Sequence, residues 1–152
     1  MINYEKLRDI REDHDLTQKE MSDILNVKRP AYSLWELGIN IIPLKYLIKF
    51  ADYFNYSLDY VLGLTNNKYK YLNNKGLNLK VIANNIKDLR IKNNLSQENL
   101  ANILGVTQAC IVRYEKGLIE ISTSNLYKLS KKFNIPINTI CGKDKPKEKI
   151  TN

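Results

Sequence analysis

The chain is poor in the residues that build cross-linked, kinked or catalytic proteins: its 152 residues hold 2 Cys, 4 Pro, 6 Gly, 1 Trp and 1 His. The two cysteines, Cys110 and Cys141, lie 31 positions apart, with no C-x-x-C and no clustered histidine. They read as free, reduced, packed side chains, which excludes a disulfide scaffold and supplies no metal site. The single histidine, His14, sits in a polar turn and reads as solvent-exposed, so it has no partner for nucleophilic or zinc chemistry. A glycine-rich phosphate loop and an H-E-x-x-H helix are both missing, and the carboxylates are spread over ordinary helix surfaces. The expectation is a non-enzyme with no metal and no cofactor. Long apolar runs are missing too, since "INIIPL" at 39–44 is far too short to cross a bilayer. The opening "MINYEKLRD" is polar with no apolar signal core, so a cytoplasmic protein without membrane contact is expected. Strand-like alternation between hairpin turns is also absent, which points to an all-α fold.

What the chain does have is positive charge, unevenly placed. It carries 24 Lys and Arg against 16 Asp and Glu, for a formal +8 and a pI near 9.4. Residues 1–65 hold 8 basic and 10 acidic side chains (net −2), whereas residues 66–152 hold 16 and 6 (net +10). A solubilising excess of lysine is the plain alternative, and a swing of 12 charges between halves weighs against it. The attraction for a polyanion lies in the second half.

The chain also repeats itself. A shift of 79 residues lays 7–63 on 86–142 without a gap, with about 15 of 57 positions identical. Among the matches are Arg11/Arg90, Leu16/Leu95, Gln18/Gln97, Val27/Val106, Glu36/Glu115, Gly38/Gly117 and Phe54/Phe133. Apolar sites hold the same register, as in Leu7/Ile86, Ile10/Leu89, Met21/Leu100, Tyr32/Ile111, Trp35/Tyr114 and Val61/Ile140. Identities and apolar sites in one register mean a duplicated domain.

Each copy reads as five helices. In the first, Tyr4, Leu7 and Ile10 mark a helix through residue 13. Thr17 and Glu20 form a capping box that starts a second helix, running to Leu25. After a break at 26–28, Pro30 suits the first turn of a third helix, which Gly38 ends. Pro43 opens a fourth through Phe54, and Ser57 a short fifth to Leu62. The second copy repeats this near 79–93, 97–104, 108–116, 122–133 and 136–141, with Ser96 as an N-cap. The domains expected are 1–64 and 78–142, joined by a polar linker at 65–77 and followed by a charged, disordered tail at 143–152. A flexible linker of this size would give an end-to-end distance of about 20 Å, stretching to about 40 Å.

The third helix of the second copy, within "VTQACIVRYEKG", sets Gln108, Ala109, Val112 and Arg113 on one face, with Ile111 and Tyr114 on the other. A helix that only had to seal a core would not need that polar fork. "LTQKEMSDILNVKRPAYSLWELG" and "LSQENLANILGVTQACIVRYEKG" both resemble the Cro and phage-repressor type of helix-turn-helix. The shared frame is an L-[TS]-Q opening, a small-residue turn before Val, and an aromatic-Glu-x-Gly close. The likeness covers about 114 of the 152 residues and implies two tandem five-helix, lambda-repressor-like domains.

In this motif the second helix crosses the DNA backbone and the third presents its side chains to base edges in the major groove. The resemblance therefore makes Gln18 and Gln97, at the start of the second helix, candidates for phosphate contact. In the second domain Arg113 suits guanine and Gln108 suits adenine, Ala109 lies on the same face, and Val112 suits a thymine methyl. Thr107 and Lys116 suit phosphate, or a thymine methyl for Thr107. The first domain departs from this, with Lys28, Arg29, Pro30, Ser33, Leu34 and Leu37 at the matching positions. Lys28, Arg29 and Ser33 still suit DNA and Leu34 a thymine methyl, yet an acidic domain with two leucines there also suits a protein partner. The pairs Arg11–Glu36 and Arg90–Glu115 are implied to be structural ion pairs tying the first helix to the end of the third. Trp35, Tyr114, Phe54 and Phe133 read as core.

The function implied is a sequence-specific, double-stranded DNA-binding transcription regulator, a repressor, working at the nucleoid when bound. Its expected partners are double-stranded DNA, a second copy of the chain, and a protein on the first domain. Two other readings stay open: an antitoxin-like autorepressor whose first domain holds a partner, and a protein-binding adaptor that reuses the fold.

Overall fold

The computed structural model describes residues 2–68 and 76–143. The middle of the expected linker (69–75) and the expected tail from 144 onward lie outside the described residues. In the first copy the helices are α1 (Glu5–Asp13), α2 (Gln18–Leu25), α3 (Arg29–Glu36), α4 (Leu44–Phe54) and α5 (Leu58–Val61). In the second they are α6 (Leu79–Lys92), α7 (Gln97–Leu104), α8 (Gln108–Glu115), α9 (Thr123–Phe133) and α10 (Ile137–Ile140). Among the described residues the fold is all-α, in two tandem five-helix units, as the sequence implies.

Local chemistry explains where the helices begin and end. Thr17 Oγ1 accepts from Glu20 N at 3.1 Å, and Thr17 N donates back to the Glu20 carboxylate at 3.2 Å. The second copy rebuilds that box with different letters, as Ser96 and Asn99 exchange the same two bonds at 3.0 and 3.1 Å. Each box satisfies amides that the first helical turn leaves without partners. The turn into α3 needs a left-handed residue, supplied by Asn26 (φ 57°); Gly105 (φ 69°) does the same before α8.

Packing follows the repeat. Met21, Leu25, Tyr32 and Leu47 in the first copy, and Leu100, Leu104, Ile111 and Leu126 in the second, are each at most 1% exposed. Burying such a side chain contributes about 1.5–3 kcal/mol, so these helix stripes hold each unit together. Buried apolar residues of both copies belong to one contiguous cluster.

The copies are locked at their short last helices. Asp59 accepts from the backbone N–H groups of Ile137 (2.8 Å) and Asn138 (2.9 Å) at the start of α10. Asn138 Oδ1 in turn accepts from Leu58 N at the start of α5, at 2.8 Å. A second strip joins Thr123 Oγ1 to the Ile42 carbonyl (2.6 Å) and Lys45 N to Glu120 Oε1 (2.7 Å).

This changes the reading of the linker and tail. Lys143, expected to begin a disordered tail, is only 4% exposed. Its ammonium lies 3.8 Å from Asp52 and donates to the Gly76 carbonyl at 2.7 Å. At the described ends of the linker, Ser57 N donates to the Lys68 carbonyl, Gly76 N donates to Asp52, and Leu77 packs on the core. Composition made these segments look solvated, but backbone groups and a buried ammonium found partners across the junction. Among the described residues no helix is long and apolar enough to cross a membrane.

Candidate nucleic-acid interface

The outer face of α8 is built by what its inner face buries. Ile111 is fully buried and Tyr114 is 6% exposed, its hydroxyl accepting from Asn125 Nδ2 at 3.3 Å. With that side anchored, Gln108, Ala109, Arg113 and Lys116 are exposed and Val112 is half-buried. A planar guanidinium and a carboxamide thus stand on one surface, the two groups able to pair bidentately with purine edges. Thr107 caps the helix, its Oγ1 accepting from Cys110 N at 3.1 Å, which leaves the hydroxyl proton for an outside acceptor.

The equivalent face of α3 is anchored by Tyr32 and Trp35, whose rings meet nearly edge-on at 6.1 Å. Lys28 and Arg29 are exposed at its start, while Ser33 and Leu34 are half-buried. Beyond its end Leu37 and Ile39 are each 66% exposed and Ile41 is 41% exposed. The corresponding positions in the second copy are Lys116, Leu118 and Glu120, so the two faces differ in charge as well as shape.

The third helix of each copy is tied to the first. Arg11 Nε donates to Glu36 Oε1 at 2.6 Å and Arg11 Nη1 to the Leu16 carbonyl at 2.8 Å. Arg90 Nη2 donates to Glu115 Oε1 at 2.8 Å and Arg90 Nη1 to the Leu95 carbonyl at 2.9 Å. Burial pushes the Glu36 pKa up, but the Arg11 guanidinium and the Gln18 amide outweigh it, so the carboxyl sits below its ordinary value. The Arg11 guanidinium is held charged in return by its hydrogen bond to Glu36.

Gln18, placed toward phosphate by the resemblance, donates one amide hydrogen inward to Glu36 Oε2 at 2.9 Å. Its second amide hydrogen remains for an acceptor beyond the helix. Gln97 is half-buried at the equivalent start of α7. Phe54 and Phe133 are partly buried against the core, and His14, though exposed, lays its ring 4.4 Å from that of Phe54. His14 Nδ1 lies 2.8 Å from the Ile10 carbonyl. Cys141 is buried, which pushes its thiol up to about 12, and Cys110 is half-buried on α8.

Sequence reasoning missed Asp59, Asn138, Asp52 and Lys143, the polar residues of the junction. One signal was available in the first copy: "SLDYVLGL" sets Leu58, Tyr60, Val61, Leu62 and Leu64 around one short helix, more apolar surface than a helix facing water on one side would carry.

Comparison with known proteins follows the duplication. Over 65 residues the chain is 37% identical to the antitoxin PezA of Streptococcus pneumoniae, covering 43% of this chain and 41% of that protein. It is 42% identical over 65 residues to the HTH-type transcriptional regulator YqaE of Bacillus subtilis, covering 42% and 56%. It is 35% identical over 57 residues to the cryptic phage CTXphi transcriptional repressor RstR of Vibrio cholerae, covering 38% and 51%. The chain thus spans about half the length of these relatives. The helix-turn-helix family model matches residues 7–61 and again residues 86–140, most of the chain, which therefore belongs to the helix-turn-helix family.

Proposed function

We propose that the chain is a double-stranded DNA-binding transcription regulator, acting as a repressor inside the cell without a reaction of its own. It reads the major groove with α8 and, more weakly, with α3. The observation that carries this reading is the exposed Gln108–Arg113–Lys116 face of α8, backed by buried Ile111 and Tyr114. The net +10 of residues 66–152 supplies the phosphate attraction around it. In this reading Arg113 pairs with guanine, Gln108 with adenine, and Ala109 and Val112 lie against thymine methyls. Thr107, Lys116, Gln97 and the second amide hydrogen of Gln18 hold phosphates. Lys28, Arg29, Ser33 and Leu34 make the lesser contacts of α3.

Footprinting of the intact chain on the duplex upstream of its own gene tests this reading. A protected segment, lost with Arg113→Ala and weakened with Arg29→Ala, is expected; uniform cleavage along the duplex would sink it.

A second reading is favoured by the exposed Leu37, Ile39 and Ile41 beside α3 and by the antitoxin among the relatives. In it, the first domain also holds a partner protein against that apolar strip. Capture of one neighbouring gene product by the wild type, but not by Leu37→Asp with Ile39→Asp, would support it, and equal capture by both would remove it.

A further inference from the structure

The lock between the copies has the symmetry of a dimer. The 79-residue shift that relates the copies carries Asp59 onto Asn138 and Leu58 onto Ile137. Ile137 N donates to Asp59 at the start of α10, and its counterpart under the shift, Leu58 N, donates to Asn138 at the start of α5, so these two contacts answer each other. The strips 41–45 and 120–124, joined through Thr123 and Glu120, are matching segments under the same shift. Contacts in which i meets j and j meets i define an isologous, two-fold interface. Here that interface lies within one chain, and Lys143 closes it by reaching Asp52 and Gly76.

We propose that a single chain is the complete DNA-reading unit, and that its target is one composite operator with two unlike half-sites. This rests on the DNA-binding reading above. Operator symmetry mirrors protein symmetry in helix-turn-helix dimers, so two-fold related recognition helices imply two half-sites on one duplex. The frame is symmetric, but the reading surfaces are not. The α8 half meets Gln108, Val112, Arg113 and Lys116; the α3 half meets Arg29, Ser33, Leu34 and Leu37. A guanidinium at 113 selects guanine, whereas leucine at the equivalent 34 offers only an apolar surface to a thymine methyl. A palindrome would satisfy one copy and mismatch the other.

Pairing two chains through the same surface is disfavoured on two counts. The starts of α5 and α10 are already occupied by each other. Setting two first copies together would also bring Asp59 against Asp59, two carboxylates where the chain now has a carboxylate and an amide. The covalent link makes the pairing intramolecular, so the reading unit does not come apart on dilution.

Selection of the intact chain on a randomised 30-base-pair duplex library, followed by mass measurement of the complex, tests this. The expected result is a non-palindromic enriched site bearing one chain of 17.7 kDa. Replacing either half with an inverted copy of the other should then weaken binding about tenfold or more. A palindromic site carrying two chains, or one half-site covered by one chain, would overturn the composite operator and leave the DNA reading standing. A library that yields no enriched site would overturn the DNA reading and the composite operator with it.

Discussion

Arg11 and Glu36 clamp α1 to the end of α3, with side chains 9% and 3% exposed and Nε 2.6 Å from Oε1. The clamp is placed so that anything loosening it also frees the helix that presents Arg29 and Leu34. Removing one charge leaves the other buried alone. Glu36→Gln should therefore destabilise the fold by about 3–5 kcal/mol, read from urea unfolding.

The same pair sets an acid sensitivity. Glu36 is held below its ordinary value of 4.5, so its contribution is present above that pH and is lost as pH falls through the depressed native value. The unfolding midpoint of the wild type should drop steadily below pH of about 4.5, and part of that slope should vanish in Glu36→Gln. Parallel slopes in the two proteins would show that the carboxylate is not paired in solution.

The Asp59 caps should be costly to lose because the residues whose amides they serve, Ile137 and Asn138, are buried. Asp59→Ala should cost about 2–4 kcal/mol by leaving the N–H groups of Ile137 and Asn138 unpaired. Asp59→Asn, which keeps an acceptor, should cost less, and equal unfolding curves for all three proteins would contradict the interlock.

Two glycines with the same backbone angle should respond differently to one methyl group. Gly105 (φ 69°) has nothing within 4 Å of an added Cβ, so Gly105→Ala should cost only the left-handed strain, about 1–2 kcal/mol. At Gly142 (φ 70°) the added Cβ would lie 2.6 Å from Val81 Cγ1, and the cost in thermal unfolding should be clearly larger. Equal losses would mean that α6 gives way freely.

Much of this fold is legible because its determinants are local. The apolar period of α1 to α4, the Thr17–Glu20 box and the glycines after α3 and α8 act within a few residues, so one sequence suffices to place them. The Arg–Glu pairs were reached only through the resemblance, since 25 positions separate the partners. The junction was not reached at all. Asp59 and Asn138 sit in the first turns of four-residue helices, where a small polar side chain is ordinary, and the amides they cap lie about 80 positions away. Lys143 was misjudged for a related reason, because a charged stretch looks solvated until its partner is placed beside it. On α8 the exposed face was legible from helical spacing, whereas the inward bond of Gln18 to Glu36 was hidden by an equally good outward role.

Binding to duplex DNA should weaken steeply with salt. Lys116→Ala, losing one phosphate contact, should lower affinity evenly across sequences and reduce the log–log salt slope by about 1. A Lys116→Ala slope equal to that of the wild type would remove Lys116 from the phosphate contacts.

The most direct measurement is the affinity of the wild type and of Arg113→Ala for the selected duplex and for each single-base variant of it. The account expects the substitution to cost about 1–3 kcal/mol and to abolish discrimination at one guanine, leaving preferences elsewhere unchanged. Unchanged affinity and an unchanged base preference at every position would contradict the claim that the outer face of α8 reads DNA.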